Sequence, residues 1–206
     1  MERAPIQISA KIISSVFSPL MMPTYGIILA LSLTILHLVP LTTRLGIIAL
    51  VMLMTAIIPS AVIRSLSMYK IIKNFALTER TDRLIPYIVT LLLYIATAIY
   101  LYMANAPSWV YGFMIGASVT IAITAIVNHW WKISAHSAAA GGLVAFSYVI
   151  ASLPTASQSL LWLLITAILC AGLIGSSRLI LNRHTPAQVY LGFLNGLINV
   201  LLWSSI

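Results

Sequence analysis

Apolar residues fill this chain in long blocks broken by short polar punctuation, and the block length is the first thing that needs explaining. A helix needs about 20 mostly apolar residues to cross the hydrocarbon core of a bilayer. Seven stretches approach that length, at residues 16–39, 45–63, 85–104, 109–127, 138–153, 160–175 and 187–203. The pattern predicts an all-α integral membrane protein, with six to seven transmembrane helices in one bundle. Residues 1–206 read as a single domain without internal repeats. Arg3 and Lys11 precede the first stretch in the manner of a secretory signal, but Pro19 and Pro23 interrupt it and no small-residue cleavage site follows, so it is read as a retained helix, kinked or interfacial at its start.

The breaks differ in kind. Those around Pro40, Pro107 and Pro154 are short and nearly free of charge, whereas "RSLSMYKIIKNFALTERTDR", "NHWWKISAHS" and "SSRLILNRHT" hold most of the ionisable groups. Because successive spans alternate direction, the three charged breaks fall on one face of the membrane.

Composition sharpens this picture. Hydrophobic residues make up 61% of the chain and charged residues 7%, against about a quarter charged in soluble domains. The net charge of +8 comes from 11 Lys and Arg against three acidic residues. The cations are scattered between apolar blocks rather than gathered in a basic stripe, which argues against nucleic acid and for membrane lipids and a phosphorylated lipid as partners. Glu2, Glu79 and Asp82 are too few to build a carboxylate-held magnesium or calcium site. Cys170 is alone, so neither a disulfide framework nor a thiolate metal site is available. The expected chemistry therefore uses no metal and no cofactor.

Two breaks pair an imidazole with a helix start. In the third, Thr185-Pro186 has the form of an N-cap and first helical position directly after His184, with Arg178 at the mouth of the preceding helix. A helix N-terminus favours an anion, and a guanidinium offers a planar double donor to phosphate oxygens. The second break places His136 beside Ser134 and Lys132, before the small-residue run 137–142. Two histidines on one face suit a nucleophile and a general acid. Lys73, Arg80 and Arg83 in the first break supply cations for a developing phosphoryl charge.

Taken in order, these residues resemble the type 2 phosphatidic acid phosphatase superfamily of membrane lipid phosphatases, related to acid phosphatases and vanadium haloperoxidases. "SRLILNRH" matches the third family motif from Ser177 through Arg178 to His184, "ISAH" the second at Ser134 and His136, and "KNFALTER" the first at Lys73 and Arg80, within a region spanning about residues 73–188. A second register of the first motif uses Arg83, three residues before Pro86. The resemblance implies that His184 attacks phosphorus to form a phosphohistidine and that His136 protonates the leaving group. Lys73, Arg80, Arg178 and backbone amides near Ser134 would hold the phosphoryl oxygens. At the end of the third motif the family's Asp is Gln188 here. Its carbonyl can accept the imidazole N–H, but it brings no charge. "TPAQ" is also a capping box in its own right.

The implied activity is hydrolysis of a lipid phosphomonoester or diphosphate, with phosphatidic acid, phosphatidylglycerophosphate and isoprenoid phosphates equally open; the other reading is a binder or transporter of such lipids that performs no hydrolysis. The expected location is the cell (inner) membrane. Its sidedness is open: cations outside the motifs, Arg3, Lys11, Arg64 and Lys70 against Arg44, favour a cytoplasmic site, while bacterial members of the superfamily commonly work on the outer face. Arg183 and Lys132 read as topology signals rather than site residues.

Overall fold

A computed structural model describes residues 3–73, 77, 79–154 and 160–206. Glu2, positions 74–76 and 78 of the first motif region, and 155–159 of the Pro154 break lie outside the described residues. The described chain folds as helices α1 (Arg3–Val16), α2 (Met22–Leu33), α3 (Leu41–Met52), α4 (Ile58–Met68), α5 (Leu84–Met103), α6 (Ser108–Val127), α7 (Ala135–Ser152), α8 (Leu161–Ile180) and α9 (Pro186–Ser204). Among the described residues, six spans are long and apolar enough to cross a membrane: Leu41–Met68, Thr81–Met103, Ser108–Val127, Ala135–Ser152, Leu161–Ile180 and Pro186–Ser204. The molecule is a multi-pass membrane protein built as one helical bundle.

The first apolar stretch does not become a seventh span. Its helix α2 has 12 residues, about 18 Å at 1.5 Å per residue, well short of a hydrocarbon core of about 30 Å. Pro23 lies in its first turn, where a missing N–H costs nothing. It ends at Thr34, whose hydroxyl bonds back to the Ala30 carbonyl and whose Oγ1 also caps a short 3-10 turn at Ile35–Leu38. Residues 3–16, which precede the first apolar stretch and share only residue 16 with it, form a helix that packs on α8.

The first span is continuous only because it widens. A proline ring clashes with the carbonyl four residues back, which for Pro59 is Thr55. The chain passes this point as a π turn at Leu53–Ile57, with Ile58 N–H donating to Leu53 O. Single π turns of this kind relieve such a clash without breaking the helix.

Helix α9 is seated between α6 and α7 by backbone contact. A Cβ on Gly196 would overlap the Ala138 carbonyl oxygen, one on Gly192 would lie 2.6 Å from Ser134 O, and one on Gly116 would lie 2.7 Å from Val200 Cα. In lipid, helices associate through such close approach and through interhelical hydrogen bonds. Asn195 supplies the latter, donating from Nδ2 to Thr120 O and Thr124 Oγ1, both at 3.1 Å. The same α7–α9 contact, with Ser134 N–H donating to Gln188 O at 3.2 Å, locks the second polar break to the third.

Candidate functional site

The three charged breaks do converge. Arg80 Nη1 donates to Trp130 O at 2.7 Å, Asn128 Nδ2 donates to Arg80 O at 3.0 Å, and Arg83 Nη1 reaches Ile133 O at 3.5 Å, tying the first break to the second. His184 Nδ1 meets Lys132 O at 3.3 Å, tying the second to the third.

Local sequence explains how Arg178 and His184 come to face one cavity. Helix α8 runs on to Ile180 rather than ending near Gly175, so Arg178 sits in its last turn and not beyond its mouth. The helix stops because Asn182 adopts φ 51°, with Asn182 N–H donating to Leu179 O and Arg183 N–H to Arg178 O. This is a Schellman closure with Asn in the left-handed position that Gly or Asn best tolerates. It turns the chain within four residues, so that His184 follows the reversal and Thr185 caps α9.

Gln188 does two things at once. Its Oε1 accepts from Thr185 N–H at 3.1 Å, closing the capping box, and from His184 Nδ1 at 3.1 Å. Because a backbone N–H donates to that atom, it is the amide oxygen. Both acceptors around His184 Nδ1 are thus carbonyl oxygens, so Nδ1 carries the proton and the neutral ring keeps its lone pair on Nε2. Burial, followed by the positive charges of Arg83 and Arg178, pulls the His184 pKa down from its ordinary 6.5 to about 4, although the Gln188 bond opposes the shift. At neutral pH the imidazole is uncharged. Lys132 is likewise lowered, first by partial burial and then by Arg83.

His136 opens α7 behind the N-cap Ser134, whose Oγ accepts from Ser137 N–H at 3.3 Å. His136 Nε2 lies 3.2 Å from Ser14 O, so that nitrogen bears the proton and Nδ1 is left to exchange one. Ser14 also accepts from Arg178 Nη1 at 3.1 Å and pairs with Ser177 Oγ at 3.0 Å. One serine on α1 therefore orders both a histidine and an arginine. Sequence reasoning missed it, because nothing in the leader's residue pattern marks a serine that becomes buried only against α8.

The histidines and cations open into a cavity of about 740 Å³. Its charged end is walled by Lys11, Arg83, His136, Arg178, Arg183 and His184. Arg183 and Lys11, both read from the sequence as topology signals, thus belong to the wall. Of the two registers for the first motif, the one through Arg83 reaches the cavity: Arg83 is buried, while Lys73 and Arg80 are exposed and do not line it. Lys73 instead donates its backbone N–H to Asp82 Oδ2 at 2.8 Å. The Ser134 amide, expected near the phosphoryl oxygens, is engaged by Gln188 O.

The described hydrogen bonds of Arg83 and Arg178 all go to neutral oxygens, and Arg178 Nε is buried without a partner. Cations with neutral acceptors, beside the imidazoles of His136 and His184, thus wall one end of a cavity in a polytopic membrane protein. Family models, curated proteins and solved structures return no match to this chain.

Proposed function

We propose that this protein is a metal-independent lipid phosphate phosphohydrolase working through a phosphohistidine. The observation that carries the reading is the fixed tautomer of His184: two carbonyl oxygens hold Nδ1–H, leaving Nε2 as an uncharged nucleophile beside Arg83 and Arg178. In the first step the Nε2 lone pair forms an N–P bond as the P–O bond to the lipid breaks. The guanidinium groups stabilise the charge on the transferred phosphoryl. The substrate phosphate enters as its monoanion and passes its proton to His136 Nδ1, which returns it to the leaving alkoxide. Water then attacks phosphorus, loses a proton to His136, and releases phosphate and free His184.

Gln188 supports the second reading, a binder of phosphorylated lipids that does not hydrolyse them, because it orients the imidazole without a charge to stabilise the cationic phosphohistidine. Phosphate release from a panel of lipid phosphates, with and without EDTA and beside His184→Ala, separates the two. Release that survives EDTA and disappears in the variant supports the hydrolase. Absence of release from folded protein that still binds the panel establishes the binder.

A further inference from the structure

The cavity does not stop at the charged mouth. Beyond His136 it is walled by Met22, Ile63, Tyr94, Ile121 and Val200, and its inner end meets Phe113, which stacks on Phe146 with ring centroids 4.1 Å apart. Two helices give the same depth. From Thr124 to Phe113 on α6, and from Ala135 to Phe146 on α7, is 11 residues each, roughly 16 Å at the helical rise.

Four hydroxyls along this passage are already engaged. Thr90 donates to Pro86 O, Thr120 to Gly116 O and Thr124 to Thr120 O at 2.7 to 2.8 Å, and Tyr94 donates to Pro19 O at 3.4 Å. A chiefly apolar wall with these four donors engaged suits hydrocarbon and disfavours a polar guest, which would find few partners.

We infer that the inner cavity is a binding subsite for one hydrocarbon chain of the phosphorylated lipid, which enters the bundle instead of remaining in the bilayer, and that Phe113 sets its length limit. This rests on the phosphate reading of the mouth. A zigzag chain advances about 1.3 Å per carbon from C–C bonds of about 1.5 Å, so the passage takes about a dozen carbons. A straight alkyl chain and a prenyl chain share the chemistry the wall selects.

The test measures binding, not turnover, in nanodiscs. A series of n-alkyl phosphates from six to 16 carbons, roughly bracketing the depth derived from the helical rise, is titrated against wild type and Ala117→Phe, with geranyl and farnesyl phosphate as the prenyl arm. Ala117 lines the cavity between mouth and floor. The affinity ratio of wild type to variant is read at each length, so that partition into the lipid cancels. The expected ratio is near one for the shortest chains and tenfold or more for chains that pass the plug, since each excluded methylene is worth about fourfold. Ile121→Phe serves as a second plug should Ala117→Phe fold poorly, and Phe113→Ala should move the limit to longer chains. A ratio that stays near one at every length with both plugs overturns the inference. Because no hydrolysis is read, a length break in a protein that releases no phosphate would overturn only the proposed chemistry, and release without a break would overturn only the chain subsite. A break with one chain type alone identifies which chain the subsite takes.

Discussion

Replacing Gln188 by Glu tests the site at its least expected residue. The substitution keeps side-chain length, so the oxygen that accepts from His184 Nδ1 at 3.1 Å and from Thr185 N–H stays within reach, but it adds a negative charge. Two unit charges about 4 Å apart interact by about 4 kcal/mol at the effective dielectric of about 20 that suits partly buried sites. One pKa unit corresponds to about 1.4 kcal/mol, so the charge should raise the His184 pKa by about three units, from about 4 to about 7. The direct assay is a ring-labelled histidine titration by NMR in detergent micelles, with His136→Asn and wild type assigning the signal. Its kinetic counterpart is the acid limb of kcat/KM, which reports the free enzyme and should move to higher pH by a similar interval, because the nucleophile must be neutral. Gln188→Ala should shift the pKa little, since the Lys132 carbonyl still accepts from Nδ1. A rise of under one unit in Gln188→Glu, or equal shifts in the Glu and Ala variants, would refute the claim that this side chain governs the imidazole.

Ser14→Ala removes the hydroxyl that meets Arg178 and Ser177 but keeps the carbonyl that holds His136; it should weaken vanadate or phosphate binding about fivefold, the worth of one hydrogen bond of about 1 kcal/mol, as read by calorimetry. Arg83→Ala should weaken binding of the same anion far more than Lys73→Ala, because only Arg83 lines the cavity; equal losses would favour the register through Lys73. Thermal stability should be highest above pH 6.5 and fall as pH drops from about 6.5 toward about 4, because over that interval the unfolded chain takes up a proton that folded His184 refuses; Gln188→Glu should flatten that fall, which a melting series in detergent checks. Gly196→Leu should prevent α9 from seating on Ala138 and abolish both compactness and anion binding, seen as loss of the monodisperse species on size exclusion.

Much of this was legible in the sequence because the bilayer imposes a single length on each span, and six of the seven apolar stretches met it. The exception, residues 16–39, had the composition but not the continuity, and the turn at 17–21 and Thr34 divide it. The third motif was legible because its partners are local: Asn182 closes α8, Thr185 caps α9, and Gln188 lies one helical turn from His184. The convergence of the breaks followed from alternation of spans. What could not be read were partners made by packing across the bundle. Ser14 meets Arg178 over 164 positions of chain, and the choice of Arg83 over Lys73 depends on which cation the fold buries. The inner cavity had no sequence signal, because Met22, Ile121 and Phe113 differ in nothing from residues that face lipid.

The glycine contacts between α7 and α9 also dictate an order of construction. Both helices run away from the same face, and α8 runs back between them in sequence, so a growing chain must deliver α8 before α9 can reach α7. Until then the surface of Ala138, Gly141 and Gly142 borders only lipid and earlier helices, and His136 waits opposite an empty position. His184 arrives with the last hairpin, when the capped start of α9 docks against Ser134. A ribosome that stalls before that hairpin leaves in the membrane a bundle that holds Arg83, just ahead of α5, and His136 of α7 but lacks His184.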